Sequence, residues 1–389
     1  MARNLFDIES RLGKCRKNSC IVDALFESGL LDVERIEFLY TTPPKIETVY
    51  LNKVEGILFG TAIGDALGVK FESRPPEYIL NKYGHIKGFH QKAHITDDTQ
   101  LTFWTLEVFL NQGWLDPKKL ADRYTKERIT GIGKTMKAFI KNYKDLRVPW
   151  YLAGVNSAGN GALMRLSPLV IPHLLNPSKE LWCDAIVTTY LIYHDRLAIA
   201  SAVAFVSLLW ECFRIQRPLE ADWWIEKYVA VARELEGDNT TYSTRYGTLK
   251  YKGPAWYFIE KVLEDASKEK WSLKELSSRI GSGAYLLETI PVVLYTLMMH
   301  ADTPYTALTE AITYSKDSDT IGAIVGYFIG AIHGSKAFPR YLVEPMLNGK
   351  ILPRKYVSLI ASTLSYLKKT SEESEIDIDY SDMILTLSK

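Results

Sequence analysis

Cysteine, net charge, long apolar runs and strand-like alternation are all scarce in this 389-residue chain. The four cysteines (Cys15, Cys20, Cys183 and Cys212) form no CxxC pair. Scattered thiols in a chain this long read as reduced and structural, with a Cys15–Cys20 disulfide or half a metal site as the alternative. The 47 Lys and Arg nearly balance the 46 Asp and Glu, for a formal charge of +1. That balance excludes a broad electrostatic footprint for nucleic acid, though not a local basic patch. The longest apolar run, Leu197–Trp210, is too short to span a bilayer, and Met1–Lys14 is polar and mixed in charge. These absences predict a cytoplasmic protein with no membrane partner.

What is present is ordinary globular composition, with 47% hydrophobic residues and enough length for a substantial core. Residues 1–50 stand apart as a short helical appendage. Cys20–Leu31 and Asp32–Tyr40 read as two amphipathic helices, stopped by Thr41-Thr42-Pro43-Pro44. From residue 51 apolar residues recur at three and four spacing, in 101–110, 182–212, 222–235, 255–265, 284–299, 305–314 and 320–333. The fold class is therefore all-α, a compact multi-helix bundle. Residues 51–336 form the main domain, and 337–389 a helical extension with a loosely packed acidic tail. Residues 237–254 read as a polar loop carrying aromatics.

Glycine is spaced unusually. Gly56, Gly60, Gly64 and Gly68 recur every four residues, as do Gly322, Gly326, Gly330 and Gly334. A glycine inside a helix costs about 1 kcal/mol relative to alanine, so each series needs an offset. Residues four apart share a helix face, and a glycine face lets two backbones approach closely. The series predicts two buried and tightly packed central helices, 54–68 and 320–334, set against each other or against further helices. A membrane glycine motif fails on length and on Glu55 and Asp65.

Two acidic strings are alike: Thr96-Asp97-Asp98-Thr99 and Asp317-Ser318-Asp319-Thr320. Each precedes an apolar helical run, so helix capping is the plain explanation. Capping needs one carboxylate, however, and each string has two. Both are embedded among apolar runs. Two like charges ~4 Å apart cost about 4 kcal/mol at an effective dielectric near 20, so four converging carboxylates imply cations. An all-oxygen donor set selects Mg²⁺, Mn²⁺ or Ca²⁺ over Zn²⁺. Two further segments have site-like chemistry. Asn156-Ser157-Ala158-Gly159-Asn160-Gly161 is a small-residue loop suited to phosphate, with Arg165 as a bidentate fork. Gly281-Ser282-Gly283 precedes an apolar helix in the same way. Glu72, after the first glycine helix, is a solvated acid or a general base.

Taken in order, Gly64-Asp65-Ala66-Leu67-Gly68 with Glu72, Thr96-Asp97-Asp98-Thr99, Asn160-Gly161-Ala162-Leu163-Met164-Arg165, and Asp317-Ser318-Asp319-Thr320 with Gly322-Ala323 resemble the ADP-ribosylglycohydrolase family. The resemblance covers roughly residues 51–336. It implies an all-α ADP-ribosylglycohydrolase-type bundle holding two Mg²⁺ (or Mn²⁺) ions. It implies Thr96, Asp97, Asp98, Asp317, Asp319 and Thr320 as metal ligands. Asp98, Glu72 and Asp97 would be the catalytic acids. Asn156, Ser157, Gly159, Asn160, Gly161 and Arg165 would hold diphosphate and ribose. His194 would lie near the ribose, Gly281, Ser282 and Gly283 would line the cleft, and Tyr285 would stack on adenine. The implied activity is release of ADP-ribose from a modified protein, first of all from arginine through an N-glycosidic bond. O-linked serine, small-molecule or nucleic-acid ADP-ribosyl bonds, and non-catalytic ADP-ribose binding, are the alternatives. The chain departs from the family pattern at Ser315-Lys316, Tyr193 and Ala158, which alters the expected adenine contacts.

Overall fold

A computed structural model describes residues 8–215, 219–374 and 376–385. The first seven residues of the N-terminal appendage and the last four of the C-terminal extension lie outside the described residues. Residues 8–12 are helical, and α1 (Asn18–Glu27), a 3-10 turn (Glu37–Tyr40) and a strand, β1 (Thr48–Tyr50), lead into the central helix α2 (Leu51–Gly68). Next come α3 (Pro76–Tyr83), α4 (Asp97–Gln112), α5 (Pro117–Tyr124), α6 (Lys134–Ile140), α7 (Glu180–Tyr190), α8 (Arg196–Arg214) and α9 (Ala221–Glu236). A small hairpin follows, β2 (Tyr242–Ser243) with β3 (Lys252–Gly253). The chain continues through α10 (Ala255–Glu269), α11 (Leu273–Ile280), α12 (Leu286–His300) and α13 (Pro304–Thr313) to the second central helix, α14 (Ser318–His333). It ends in α15 (Arg340–Leu347), α16 (Arg354–Ser371) and β4 (Asp377–Asp379). The all-α expectation holds.

The glycine series explains the centre. A Cβ placed on Gly56, Gly60 or Gly64 would stand 2.5, 2.1 or 2.0 Å from the carbonyl oxygen of Gly330, Gly326 or Gly322 respectively. On Gly68 it would stand 2.3 Å from the Ser318 carbonyl oxygen. The pairing descends along α14 as it ascends along α2, so the helices are antiparallel and meet backbone to backbone. This close contact yields dispersion energy and Cα–H···O contacts that offset the glycine cost. Gly334 closes the series: a Cβ on Gly56 would also stand 2.8 Å from its carbonyl carbon, and it ends α14 at φ 74°, where glycine is unpenalised.

Charged residues in α2 tie other segments to this pair. Lys53 is buried and donates from Nζ to the carbonyls of Cys212, Phe213 and Ile215 at 3.0, 3.3 and 3.1 Å. It thereby satisfies the open C-terminal carbonyls of α8. Burial pulls its ammonium down to about 8. Glu55 accepts from Ser335 Oγ at 2.8 Å and from the backbone N–H groups of Ile384 and Leu385 at 2.7 Å each.

Several local expectations are corrected. Residues 32–36 are not helical, and only Glu37–Tyr40 makes a turn. This segment runs extended across α7 and α8, where Trp182 Nε1 donates to Thr41 O and Trp210 Nε1 to Pro44 O, both at 2.9 Å. The apolar stretch 182–212 breaks into α7 and α8 at Asp195, whose side chain caps α8 through Ala198 N at 3.0 Å. The loop 237–254 contains the β2–β3 hairpin. The acidic tail is held rather than loose: β4 pairs in parallel with β1, Thr48 opposite Asp377. Cys15 and Cys20 are joined in a disulfide, because the turn before α1 brings their Cα atoms to 5.6 Å. Cys183 and Cys212 are buried free thiols, as expected. Helix α8, with 19 residues, is long and apolar enough to cross a membrane by length and composition, unlike the shorter run read from the sequence. It is a core helix here, with 83% of its apolar window buried.

The ridge predicts a sharp steric result. Gly60→Ala should cost at least about 3 kcal/mol, since the helix backbones must separate. Gly133→Ala, where a Cβ meets nothing within 4 Å, should leave the thermal midpoint unchanged. Calorimetry on the two variants checks this; equal midpoints would remove the ridge as the organising contact.

Candidate functional site

Three helix ends meet at one end of the ridge: the C-terminal end of α2 and the N-termini of α4 and α14. The antiparallel pairing makes this unavoidable, because Gly68 lies against Ser318. Ser318 Oγ also donates to Gly68 O at 3.0 Å. Asp65, fully buried in α2, draws in the start of α4. It accepts from Thr96 N at 2.8 Å, Thr96 Oγ1 at 2.9 Å, Thr99 N at 3.2 Å and Thr99 Oγ1 at 2.5 Å.

The capping explanation fails here. Thr96 and Asp317 occupy the N-cap positions of α4 and α14, yet neither gives its side chain to a cap. Thr96 Oγ1 turns instead to Asp65 and to Asp98 Oδ2, the latter at 3.0 Å. Asp317 Oδ2 receives Asn160 Nδ2 at 2.6 Å.

The acids converge. One oxygen each of Asp65, Asp98 and Asp319 lies within 4.8 Å of the others, and so does one each of Glu72, Asp317 and Asp319. Asp319 belongs to both groups and joins them into one cluster. Thr320 Oγ1 donates across to Asp98 Oδ2 at 3.3 Å, linking the two acidic strings directly. Burial raises every carboxyl, and repulsion from neighbouring acids adds to it at Glu72, Asp97, Asp98 and Asp319. Burial pushes Asp65 up to about 6 against its four hydrogen bonds. Asp97 goes to about 7 through burial and then the charge of Asp65. Asp98 and Asp319 rise well above the carboxylate range, from burial and then neighbouring aspartates. Burial raises Asp317, and burial with the charge of Asp317 raises Glu72.

These residues fit divalent cations. Every donor is an oxygen, and Asp98 Oδ1 is buried with no hydrogen-bond partner among the described residues. A buried carboxylate oxygen left without a partner is costly unless a cation takes it. Two helix N-termini alone supply only about half a positive charge each. Of the ligands implied by resemblance, Asp98, Asp317, Asp319 and Thr320 are in the cluster, with Thr96 behind Asp98. Asp97 is half-buried at its edge, and a Cβ on Gly131 would stand 3.0 Å from its Oδ1. Glu72 is exposed at the mouth.

The small-residue loop is laced between two other segments. Val155 N donates to Ile192 O and His194 N to Val155 O, both at 2.9 Å. Asn160 N donates to Ala284 O at 3.1 Å and Leu286 N to Ala158 O at 3.0 Å. Asn160 also reaches Thr289 Oγ1 at 3.0 Å. Ser282 O receives Lys316 N and Asp317 N at 3.1 and 3.0 Å, so the Gly281–Gly283 loop rests on the second acidic string. Gly283 N donates to Glu288 Oε2 at 2.8 Å, and a Cβ on Gly281 would meet that same oxygen at 2.6 Å. A Cβ on Gly161 would stand 2.2 Å from the Tyr193 hydroxyl, and one on Gly159 3.4 Å from Ser157 Oγ. Ser157 Oγ shares a 2.9 Å hydrogen bond with Thr135 Oγ1, and Asn156 is exposed.

Three implied binding residues are engaged by side chains and backbone of the fold itself. Arg165 is 1% exposed, packed beneath the loop with its guanidinium 5.8 and 5.4 Å from the ring centres of Tyr124 and Tyr193. Its place is in the core rather than at the loop surface. His194 stacks on Tyr190 at 4.2 Å and against Gly154, and burial lowers its ring to about 4, so it is neutral. Tyr285 is buried, with the Arg245 guanidinium 3.9 Å from its ring centre. Asp65, Thr99, Thr289, Glu288 and Arg245 shape the site without having been expected there from the sequence. A signal existed for Asp65: a carboxylate on a glycine-ridged core helix. Thr289, Glu288 and Arg245 gave none.

The chain is similar to known proteins over most of its length. The ADP-ribosylglycohydrolase family pattern matches residues 47–373. The zebrafish (Danio rerio) protein named ADP-ribosylhydrolase ARH3 is 23% identical, aligned over 74% of this chain and 85% of its own length. The Serratia proteamaculans protein named ADP-ribosylarginine hydrolase Tri1 is 24% identical over 87% of this chain and 86% of its own. A solved structure described as an ADP-ribosylglycohydrolase-related protein complex superposes with a TM-score of 0.58 at 22% identity, covering 82% of this chain and 98% of that one. It bears on the fold alone.

The raised carboxyls set a pH dependence. A carboxyl whose folded pKa exceeds its unfolded value holds protons more tightly in the fold, so it favours folding at low pH. That contribution is lost as pH rises through about 6 to 7, the values for Asp65 and Asp97. Cations should reverse the loss. The rise in thermal midpoint on adding Mg²⁺ or Mn²⁺ to EDTA-treated protein should therefore be larger at pH 8 than at pH 5. No rise at either pH would exclude a cation site here.

Proposed function

The chain belongs to the ADP-ribosylglycohydrolase family, and on that premise we propose that it is a divalent-metal-dependent hydrolase releasing ADP-ribose from arginine side chains of a modified protein. The single observation that carries the reading is the convergence of the two acidic strings, joined by the Thr320–Asp98 hydrogen bond. The arginine linkage is supported by the Asn160–Arg165 string and by similarity over most of both chains to a protein named for that activity.

The residues divide the work. The Asn156–Gly161 loop and the Gly281–Gly283 loop receive an anionic diphosphate through backbone N–H groups other than those of Asn160, Gly281 and Gly283, which donate within the fold. Asn160, fixed by Asp317 and Thr289, sets the depth of that loop over the acids. Bound among Thr96, Asp97, Asp98, Asp317, Asp319 and Thr320, cations of the Mg²⁺ or Mn²⁺ class would polarise substrate oxygens and ease deprotonation of water. Water adds to C1 of the proximal ribose as the C1–N bond to the guanidine breaks. Glu72, at the mouth with its carboxyl raised by partial desolvation and by the charge of Asp317, takes the water's proton, and Asp98 orients the attack. The remaining acids stabilise the oxocarbenium character of the transition state.

Asp97→Ala and Asp319→Ala should each lower release of ADP-ribose from an ADP-ribosyl-arginine substrate by at least about a hundredfold, with the helical fold retained by circular dichroism. Full activity in either variant would end the proposal. A panel of arginine-, serine- and nucleotide-linked ADP-ribosyl substrates fixes the linkage. Preference for serine would overturn the arginine assignment while leaving the hydrolase reading intact.

A further inference from the structure

Beside the carboxylate cluster lies a groove of about 660 Å³, walled by residues 125–132 and by Lys137, Ile140 and Lys144. Its rim is cationic: Lys126, Arg128, Lys137 and Lys144 are all exposed. Lys144 Nζ donates to Thr125 O at 3.2 Å, which fixes one corner. Glu127 is the one acid lining the groove among the described residues, and it is engaged by Arg123 and Lys355 at 3.1 and 3.3 Å. Lys126, Arg128 and Lys137 form no ion pair with an acid among the described residues. The floor is apolar, from Ile129, Ile132 and Ile140.

The groove is mechanically joined to the site. Gln100, three residues past Asp97 in α4, accepts Thr130 N at 2.8 Å and donates to Arg128 O at 3.4 Å. Gly131 takes φ 77° and lies against Thr96 and Asp97. One wall of the groove is thus the outer surface of the loop whose inner surface touches the acids.

The geometry points to a docking groove for an acidic, partly apolar segment of the modified protein, laid extended beside the residue whose ADP-ribose enters the cleft. This rests on the function proposed above and specifies its partner. Exposed cations on an isoleucine floor complement a chain that alternates acidic and apolar side chains. A single-stranded nucleic acid is less well matched, because its bases need stacking platforms and no aromatic ring lines the groove among the described residues. The near-zero total charge makes the groove a local selector rather than part of a general attraction for polyanions.

The test uses the full chain and a triple variant, Lys126→Glu, Arg128→Glu and Lys137→Glu. Binding of a short fluorescein-labelled peptide alternating Glu and Leu is read by anisotropy. Turnover is read on an ADP-ribosyl-arginine peptide with an acidic flank, and on free ADP-ribosyl-arginine. The expected result is a loss of peptide affinity of about tenfold or more, a matching rise in KM for the flanked substrate, and unchanged kinetics on the free compound. Unchanged affinity in the variant would overturn the inference, and so would an oligonucleotide that displaces the peptide and binds more tightly. If no substrate is cleaved by the wild type, the functional reading fails. The anisotropy measurement still decides the groove.

Discussion

The contact on which the site depends is glycine backbone against glycine backbone between α2 and α14. Helices normally pack with axes 8–10 Å apart because side chains intervene. Here Gly56, Gly60, Gly64 and Gly68 remove them on one side, and Gly322, Gly326 and Gly330 on the other. Antiparallel packing then places the C-terminal end of α2 beside the N-terminus of α14. Asp65 and Asp319 enter a common space because the backbones that carry them are in contact. Asp98 follows because Asp65 holds the first turn of α4 through four hydrogen bonds.

Such a cluster opposes folding while it lacks counter-charge. Burial desolvates each carboxyl and lifts it above the usual carboxylate range, and neighbouring acids lift Asp98 and Asp319 further. The rigid ridge allows the arrangement to persist, since a softer packing would relax by moving the acids apart. The polar links made by Lys53 and Glu55 extend that rigidity to α8 and to the C-terminal segment. Function is thus supported by contacts far from any substrate.

The fold class and the convergence of the acids were legible because both rest on local spacing. Four-residue glycine repeats report one helix face directly. Paired acids before an apolar run report more carboxylates than a cap needs. The loops were less legible, because their form depends on partners distant in sequence. Arg165 reads as a phosphate fork by type and position. It lies in the core because Tyr124 and Tyr193, from other segments, offer it ring faces. Asp32–Tyr40 has helical periodicity but makes only the short turn Glu37–Tyr40, and Trp182 and Trp210 take carbonyls of the stretch that follows it. The Cys15–Cys20 bond depends on the geometry of one turn, which composition does not report.

The departures from the family pattern are coupled to one another. Tyr193 places its hydroxyl where a Cβ on Gly161 would be, so this tyrosine and the glycine of the loop constrain each other. The same ring receives the Arg165 guanidinium, so the loop is supported from below by a charged stack. On the opposite wall, Lys316 turns its ammonium over the Tyr246 ring, 5.0 Å from its centre, and not into the acids. Arg245 covers Tyr285 from the adjacent position of the same hairpin loop. The β2–β3 hairpin therefore carries two contacts to the cleft wall. The acids set the chemistry that the cluster can support, whereas these contacts, supplied by other segments, fix the walls that stand around it.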